Sequence, residues 1–378
     1  MSTAHTGSRW GLAAAAASAA LLAACSGDEP TAPAAPTAPA ASATVTAPAS
    51  ASAAPPAGGG TPDLSDPETV ATGLDVPWGL AFLPDGSALV AERNTAKVLQ
   101  VSAGRSKPRE VYRVPGVSAA GEGGLLGLAV APDYAETRWV YAYYTAADDN
   151  RIARFKIGGG RPEVIFDGID KARIHNGGRI AFGPDTMLYV GTGDAGERSA
   201  SQDPDDSNGK ILRLTPDGEP APGNPAEGSP VWSLGHRNVQ GLAWAADGTM
   251  YGIEFGQNRF DEVNKIEPGE NYGWPEVEGT GDDSRYVDPL VTWRTTEASP
   301  SGAAIAGDTL YVAGLRGERL WTVPLDGGKP KAELSGRYGR LRIVAVAPDG
   351  ALWLTTSNTD GRGDVRGGDD RILRFPAR

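Results

Sequence analysis

Three short loops and a set of late arginines hold the side chains best suited to chemistry. The first loop reads His175-Asn176-Gly177-Gly178-Arg179. An imidazole titrates near neutral pH, so His175 can take up a proton as a general base. The paired glycines let backbone approach a ligand closely. The same loop also fits a histidine that merely bonds to nearby backbone. The second loop reads Gly235-His236-Arg237-Asn238-Val239-Gln240-Gly241. Arg237 and Asn238 set a fixed cation beside an amide, a combination suited to the carboxylate or carbonyl oxygens of a planar ligand. A network of mutually satisfied polar groups is the competing use of that loop, and His236 suits it better than catalysis. The third runs from Glu254 to Glu262 and continues in Gly269-Glu270-Asn271-Tyr272-Gly273-Trp274-Pro275. Carboxylates beside glycine-rich backbone can supply the all-oxygen shell that Ca²⁺ takes. Arg316, Arg340 and Arg342 complete the set. Period-two alternation sets Arg340 and Arg342 on one side of a strand. Guanidinium groups converging in an acidic protein suit an anionic ligand; singly, each reads equally as a surface arginine.

Two motif matches fail. The segment DPDDSNG at 203–209 has Asn208 where a calcium-binding loop needs glycine and Leu214 where it needs a bidentate glutamate. Gly191-Thr192-Gly193-Asp194-Ala195-Gly196 fits the dinucleotide pattern GxGxxG. That pattern works where a strand feeds a helix, and here loop follows, so no nicotinamide cofactor is expected.

These loops need a scaffold, and repetition supplies one. A short apolar strand, a turn with aspartate and a second apolar strand recur at 80–92, 128–144, 180–194, 242–256, 303–314 and 344–358. The turn aspartates are Asp85, Asp133, Asp185, Asp247, Asp308 and Asp349. A third segment of alternating polarity follows each, at 96–102, 151–157, 210–218, 261–269, 318–327 and 371–377. Both counts give six, or about 52 residues per repeat over 67–378. Several strands per unit at that spacing mark propeller blades. The fold expected is all-β, a six-bladed β-propeller over 67–378, without an amphipathic helix of ten or more residues. The strand near 371–377 should close the ring against 67–74. On such a scaffold, function comes from loops at one end of the central channel.

Composition narrows the field. Among 378 residues there are 51 glycines, 30 prolines and a single cysteine, so a disulfide framework and a Cys-based zinc site are excluded. Three histidines cannot form a poly-histidine metal cage. A net charge of −12 argues against nucleic acid as a partner. Residues 1–25 read as a lipoprotein signal peptide: Arg9, an apolar run from Trp10 to Ala24 too short to span a bilayer as a helix, and Leu22-Ala23-Ala24-Cys25. That ending resembles a bacterial lipobox, which makes Cys25 the expected lipidation site and anchors the chain to the membrane outside the cytoplasm. Residues 26–66, rich in Ala and Pro, read as a disordered linker.

Along about 70–375 the chain resembles the pyrroloquinoline quinone (PQQ)-dependent soluble glucose and aldose sugar dehydrogenases. The likeness rests on VPWGLAFLPDG with Glu92-Arg93, GEGGLLGLAVAPD, HNGGR, GHRNVQG, Asp261-Glu262 with Asn264, NYGWP and the late arginines. It implies a six-bladed propeller that oxidises the C1 hydroxyl of an aldose to a lactone. Hydride passes to PQQ, and electrons go on to an external acceptor. It implies His175 as the base for the C1 hydroxyl proton. Arg237 and Asn238 become PQQ contacts, Arg237 also lying beside the carbonyl that turns negative. Arg316, Arg340 and Arg342 become partners of the PQQ carboxylates. Backbone carbonyls of Gly256 and Gln257 become ligands of a Lewis-acid Ca²⁺. Glu262 and the Tyr272 carbonyl become a second, structural Ca²⁺ site, and Glu122 faces the sugar.

The departures matter as well. Ile174 stands where the soluble glucose dehydrogenases have the aspartate that orients the base, so His175 needs another partner. Glu122 replaces Gln, Arg316 replaces Lys, Gln257 replaces Pro, and Ile343 stands where an acidic residue is usual. The long insertions of the dimeric enzymes are missing, so a monomer of the aldose sugar dehydrogenase branch is expected. A non-enzymatic cell-surface propeller that binds glycan or protein, and a Ca²⁺-dependent lactonase-type hydrolase, are the alternatives.

Overall fold

Four of the six repeats fold their first two strands over a turn whose chemistry is local. Asp85 accepts the backbone N–H of Ser87 at 2.9 Å, Asp185 that of Met187 at 3.1 Å, Asp247 that of Thr249 at 2.9 Å and Asp349 that of Ala351 at 3.0 Å. A carboxylate reaching two residues ahead is what aspartate brings to a tight turn. In the second repeat Asp133 instead precedes a single helical turn, Tyr134–Thr137.

The computed structural model describes residues 60–104 and 107–378. Six four-stranded antiparallel sheets follow one another. Blade 1 comprises Pro77–Phe82, Ala88–Glu92, Lys97–Val101 and Arg109–Arg113; blade 2 comprises Leu125–Val130, Trp139–Thr145, Asn150–Lys156 and Glu163–Ile169. Blade 3 holds Arg179–Phe182, Leu188–Gly191, Lys210–Leu214 and Val231–Leu234; blade 4 holds Val239–Trp244, Met250–Glu254, Phe260–Ile266 and Val291–Arg294. Blade 5 holds Pro300–Ala306, Thr309–Gly314, Arg319–Pro324 and Lys331–Glu333. Blade 6 joins Leu341–Val346, Leu352–Thr356 and Ile372–Phe375 to the early strand Glu68–Ala71. The expected six-bladed all-β propeller is present, closed by pairing of Glu68–Ala71 with Ile372–Phe375. Among the described residues the helical elements are Tyr134–Thr137 and the 3-10 segment Arg198–Gln202.

The inner strands approach each other backbone to backbone. A Cβ on Gly79 would lie 2.4 Å from the Leu126 carbonyl, and one on Gly127 would lie 2.2 Å from that of Gly178. Behind them, side chains such as Leu89, Val90, Ile152, Val263, Leu310 and Leu354 are fully buried between sheets. Each contributes about 1.5–3 kcal/mol of transfer free energy.

The packed chain starts before residue 67. Pro62 bridges Ala377, the Asp63 N–H donates to the Pro376 carbonyl at 2.8 Å, and the half-buried Leu64 packs against the cluster of Leu373 and Phe375. Residues 60–66, expected in the linker, therefore dock on the closing strand. The signal, Cys25 and most of the linker lie outside the described residues.

Antiparallel pairing fixes where function can sit. In every blade the first strand leaves, and the second returns to, the same end of the ring. The loop before the first strand and the loop after the second thus meet there.

Candidate active site

Blade 3 delivers the base. Arg179 pairs with Gly191 at the end of its inner hairpin. Beyond that pair the two chains stay together, the Ala195 N–H donating to the His175 carbonyl at 3.2 Å. His175 Nδ1 lies 2.6 Å from Asp194 Oδ1. This is the partner that Ile174 could not be, and Ile174 itself is 42% exposed. Asp194 is buried and also accepts from the Gly196 N–H at 2.8 Å and Trp274 Nε1 at 2.9 Å. Burial pushes its carboxyl upward, but the His175 contact, with Gly196 and Trp274, outweighs burial and holds it below the usual carboxylate range. On the other side, His175 Nε2 lies 2.7 Å from an Arg237 terminal nitrogen. A guanidinium only donates, so Nε2 is the acceptor and the proton resides on Nδ1. That tautomer leaves the basic lone pair on the nitrogen facing Arg237.

Blade 4 delivers Arg237. Its backbone N–H donates to Glu254 at 2.6 Å. Its side chain donates to the carbonyls of Phe255 at 3.1 Å and Gly256 at 2.7 Å, and to Gln257 Oε1 at 3.0 and 2.6 Å. The Gly256 carbonyl and the Gln257 side-chain oxygen are thus both turned to the Arg237 guanidinium. Asn238 is fully buried, and its Oδ1 accepts the Gly177 N–H at 3.0 Å, tying blade 4 to the His175 loop. His236 is structural: it bonds Glu254 and Ser233, each at 2.8 Å, and stacks on Tyr272.

Arg237 also borders a cavity of about 10 Å³, room for one water-sized body, walled in part by Glu254, Glu262, Glu278, Gly256 and Tyr272. Glu262 is held by the Gly279 N–H at 2.7 Å and by Asn264 at 3.2 Å, which also donates to Glu254. Burial, then the neighbouring Glu254 charge, pushes the Glu262 carboxyl above the usual carboxylate range. The sequence reading placed Gly256 and Glu262 with Tyr272 in separate calcium sites; the structure sets all three around this one cavity. The Tyr272 hydroxyl donates to the Lys265 carbonyl at 2.7 Å. Among the described residues, no group of three or more His, Cys, Asp or Glu side chains is arranged to hold a metal ion.

Blade 6 delivers the late arginines. Arg340 donates twice to Asp360, at 3.1 and 2.9 Å, and Arg342 lies 3.9 Å from the same carboxylate. Arg342 also donates to Gln240 Oε1 at 2.8 Å. Trp78 lies under both Arg179 (4.5 Å) and Arg342 (5.7 Å). Burial lowers the pKa of both guanidinium groups, and also that of Arg93, where the Asp360 and Glu122 charges oppose it. Three buried donors in this region have no hydrogen-bond partner among the described residues: one terminal nitrogen of Arg179, Nε of Arg342 and Nδ2 of Asn238. Glu122 accepts the His175 N–H at 2.9 Å and pairs with Arg362 at 3.0 Å, so it does stand beside the base. Arg316 lies in the loop after the second strand of blade 5, exposed and with no side-chain hydrogen bond or ion pair among the described residues. The sequence reading assigned no role to Asp194, Arg93, Arg179, Gln240, Glu278 or Asp360. The rule that would have found Asp194 and Asp360 is the shared end of the inner hairpin.

A propeller with a histidine–aspartate pair, an adjoining arginine and several buried arginines at one end of its ring has the layout of an enzyme. The chain belongs to the glucose/sorbosone dehydrogenase family, whose description, Glucose / Sorbosone dehydrogenase, matches residues 74–373. The PQQ-bound aldose sugar dehydrogenase of Streptomyces coelicolor is 56% identical, with a TM-score of 0.81, covering 86% of this chain and all of that one. An oxidoreductase (glucose dehydrogenase) of Thermus thermophilus is 48% identical, with a TM-score of 0.77, over 82% of this chain and 99% of that one. The aldose sugar dehydrogenase YliI of Escherichia coli is 29% identical over 76% of this chain and 89% of its own length. The protein is an enzyme of the sugar dehydrogenase class.

Proposed function

We propose that the protein is a PQQ-dependent aldose sugar dehydrogenase that oxidises the C1 hydroxyl of an aldose to a lactone and passes electrons to an external acceptor. The observation that carries this reading is the Asp194–His175–Arg237 chain beside three buried donors without partners among the described residues. A planar quinone bearing carboxylates and carbonyls offers the acceptors that Arg179, Arg342 and Asn238 lack, and unpaired buried donors are costly. Arg340 and Arg342 would bind its carboxylates. The carbonyls of Phe255 and Gly256, with Glu254 and Glu262 nearby, form an all-oxygen donor set that fits Ca²⁺. When bound, PQQ supplies the two-electron acceptor and Ca²⁺ the Lewis acid.

The chain's own residues handle the proton. Asp194 fixes the Nδ1–H tautomer and stabilises the imidazolium that forms when His175 Nε2 takes the proton from the sugar hydroxyl. Arg237 shifts from Nε2 to the oxygen where negative charge develops. Glu122, held to the His175 backbone, meets the sugar's other hydroxyls as an acceptor. The test is titration of purified apoprotein with PQQ and Ca²⁺, followed by dye reduction with a panel of aldoses, glucose among them. The expected result is a PQQ absorbance change and aldose-dependent dye reduction. Lack of both overturns the reading; calcium-dependent lactone hydrolysis without quinone would replace it with a hydrolase.

A further inference from the structure

The turn that presents the Phe255 and Gly256 carbonyls is organised from outside its own hairpin. Glu278 Oε1 accepts four successive backbone N–H groups: Gln257 at 2.6 Å, Asn258 and Arg259 at 2.9 Å, and Phe260 at 3.2 Å. Consecutive N–H groups converging on one anion form a nest. The Gly256 N–H is taken in the same way by Asp261, at 3.0 Å. With five N–H groups turned onto two carboxylates, the Phe255 and Gly256 carbonyls are left directed at Arg237. The packing leaves little slack: a Cβ at Gly256 would fall 2.8 Å from Glu278 Oε1 and 1.6 Å from the Phe260 carbonyl. Glu278 also follows Trp274, whose ring lies 5.4 Å from the Arg237 guanidinium and whose Nε1 donates to Asp194. One segment therefore braces both the base pair and the carbonyl turn.

We propose that Glu278 is a positioning residue that pre-forms the carbonyl turn for the cation and, through it, the quinone. This rests on the PQQ and Ca²⁺ reading above. Replacing Glu278 by Ala strands four donors. Water can satisfy those of the exposed Asn258 and Arg259, but those of Gln257 and Phe260 are partly buried, so the turn relaxes and its carbonyls lose their common direction. Gln keeps an acceptor oxygen at the same reach without the charge.

The experiment has two arms. In the unloaded protein, hydrogen exchange at residues 257–260 is compared for wild type, Glu278→Ala and Glu278→Gln. It should speed up strongly in the Ala variant and little in the Gln variant. In the second arm, Ca²⁺ and PQQ are titrated by absorbance. Glu278→Ala should raise the half-saturating Ca²⁺ about tenfold or more. Glu278→Gln should recover most of that, and the aldose KM at saturating Ca²⁺ and PQQ should stay within about twofold of wild type. Unchanged exchange at 257–260, or unchanged Ca²⁺ and PQQ affinity in a folded Ala variant, overturns the proposal. Should the Ala variant not fold, Glu278→Asp, which is too short to span the nest, replaces it with the same expected outcomes. Failure of wild type itself to bind PQQ, with exchange still dependent on Glu278, would sink the quinone reading and leave Glu278 a brace of the turn alone.

Discussion

At the scale of residues, the site turns on which nitrogen of His175 holds its proton. Asp194 selects Nδ1 and Arg237 caps Nε2. Asp194→Asn removes the anion that stabilises the imidazolium. Turnover should fall about 100-fold or more while PQQ affinity is unchanged, a split that single-turnover kinetics and PQQ titration resolve. Stability should respond as well. The folded-state pKa of Asp194 is depressed, so its contribution is complete above the ordinary carboxylate range and is lost as pH falls through the folded value. The Asn variant should therefore unfold more easily at pH 7, by about 1.5–3 kcal/mol for the lost charged hydrogen bonds, and the gap should close in acid. An equal gap at both pH values would remove Asp194 from this role. The histidine was legible from its glycine-flanked loop. Its partner was not, because Asp194 sits 19 residues on, in a GxGxxG match set aside for want of a helix.

At the scale of elements, the inner hairpin is the unit that delivers chemistry. Blade 3 brings His175 to Asp194, blade 4 brings Arg237 to Gln257, and blade 6 brings Arg340 to Asp360. Each pair joins the loop before a first strand to the loop after a second. The hairpins were legible because aspartate turns and buried apolar strands share one local pattern. The outermost strands, such as Arg109–Arg113 and Lys331–Glu333, were not, because their mostly exposed residues leave no burial period to read. The relative placement of hairpins depends on close approach of the inner strands, which a sequence shows only as scattered glycines. Gly79→Ala tests it directly. The new Cβ would lie 2.4 Å from the Leu126 carbonyl and 2.8 Å from the Leu128 nitrogen, both backbone atoms that move only if two blades separate. The expected cost is about 1–3 kcal/mol, seen as a lower urea midpoint at an unchanged slope. A midpoint equal to wild type would mean that the inner strands yield without cost.

At the scale of the whole molecule, a ring is only as cohesive as its closure, because blades 1 and 6 meet through residues at opposite ends of the described chain. Pairing of Glu68–Ala71 with Ile372–Phe375 ties the start of the chain into blade 6, and Phe82 of blade 1 packs on Trp353 of blade 6 at 5.1 Å. Residues 60–66 extend it: the Pro62–Ala377 bridge, the Asp63 N–H on the Pro376 carbonyl, the Arg378 N–H on the Thr61 carbonyl at 3.1 Å, and Leu64 against the blade 6 core. A lone leucine in an Ala/Pro-rich stretch reads as linker, and only the geometry of the closing strand reveals its use. A chain beginning at residue 67 keeps the paired strand and should still close. It loses the half-buried Leu64 side chain and the added backbone bonds, together about 1–3 kcal/mol. The Asp63–Arg378 ion pair at 2.6 Å adds little to that difference, because an exposed pair is screened by solvent. Against a chain beginning at residue 60, the urea midpoint should drop while turnover stays the same, since residues 60–66 touch none of the site residues named above. Equal midpoints would show that the extension merely lies along the ring, and that Glu68–Ala71 with the direct packing of blade 1 on blade 6 suffices for closure.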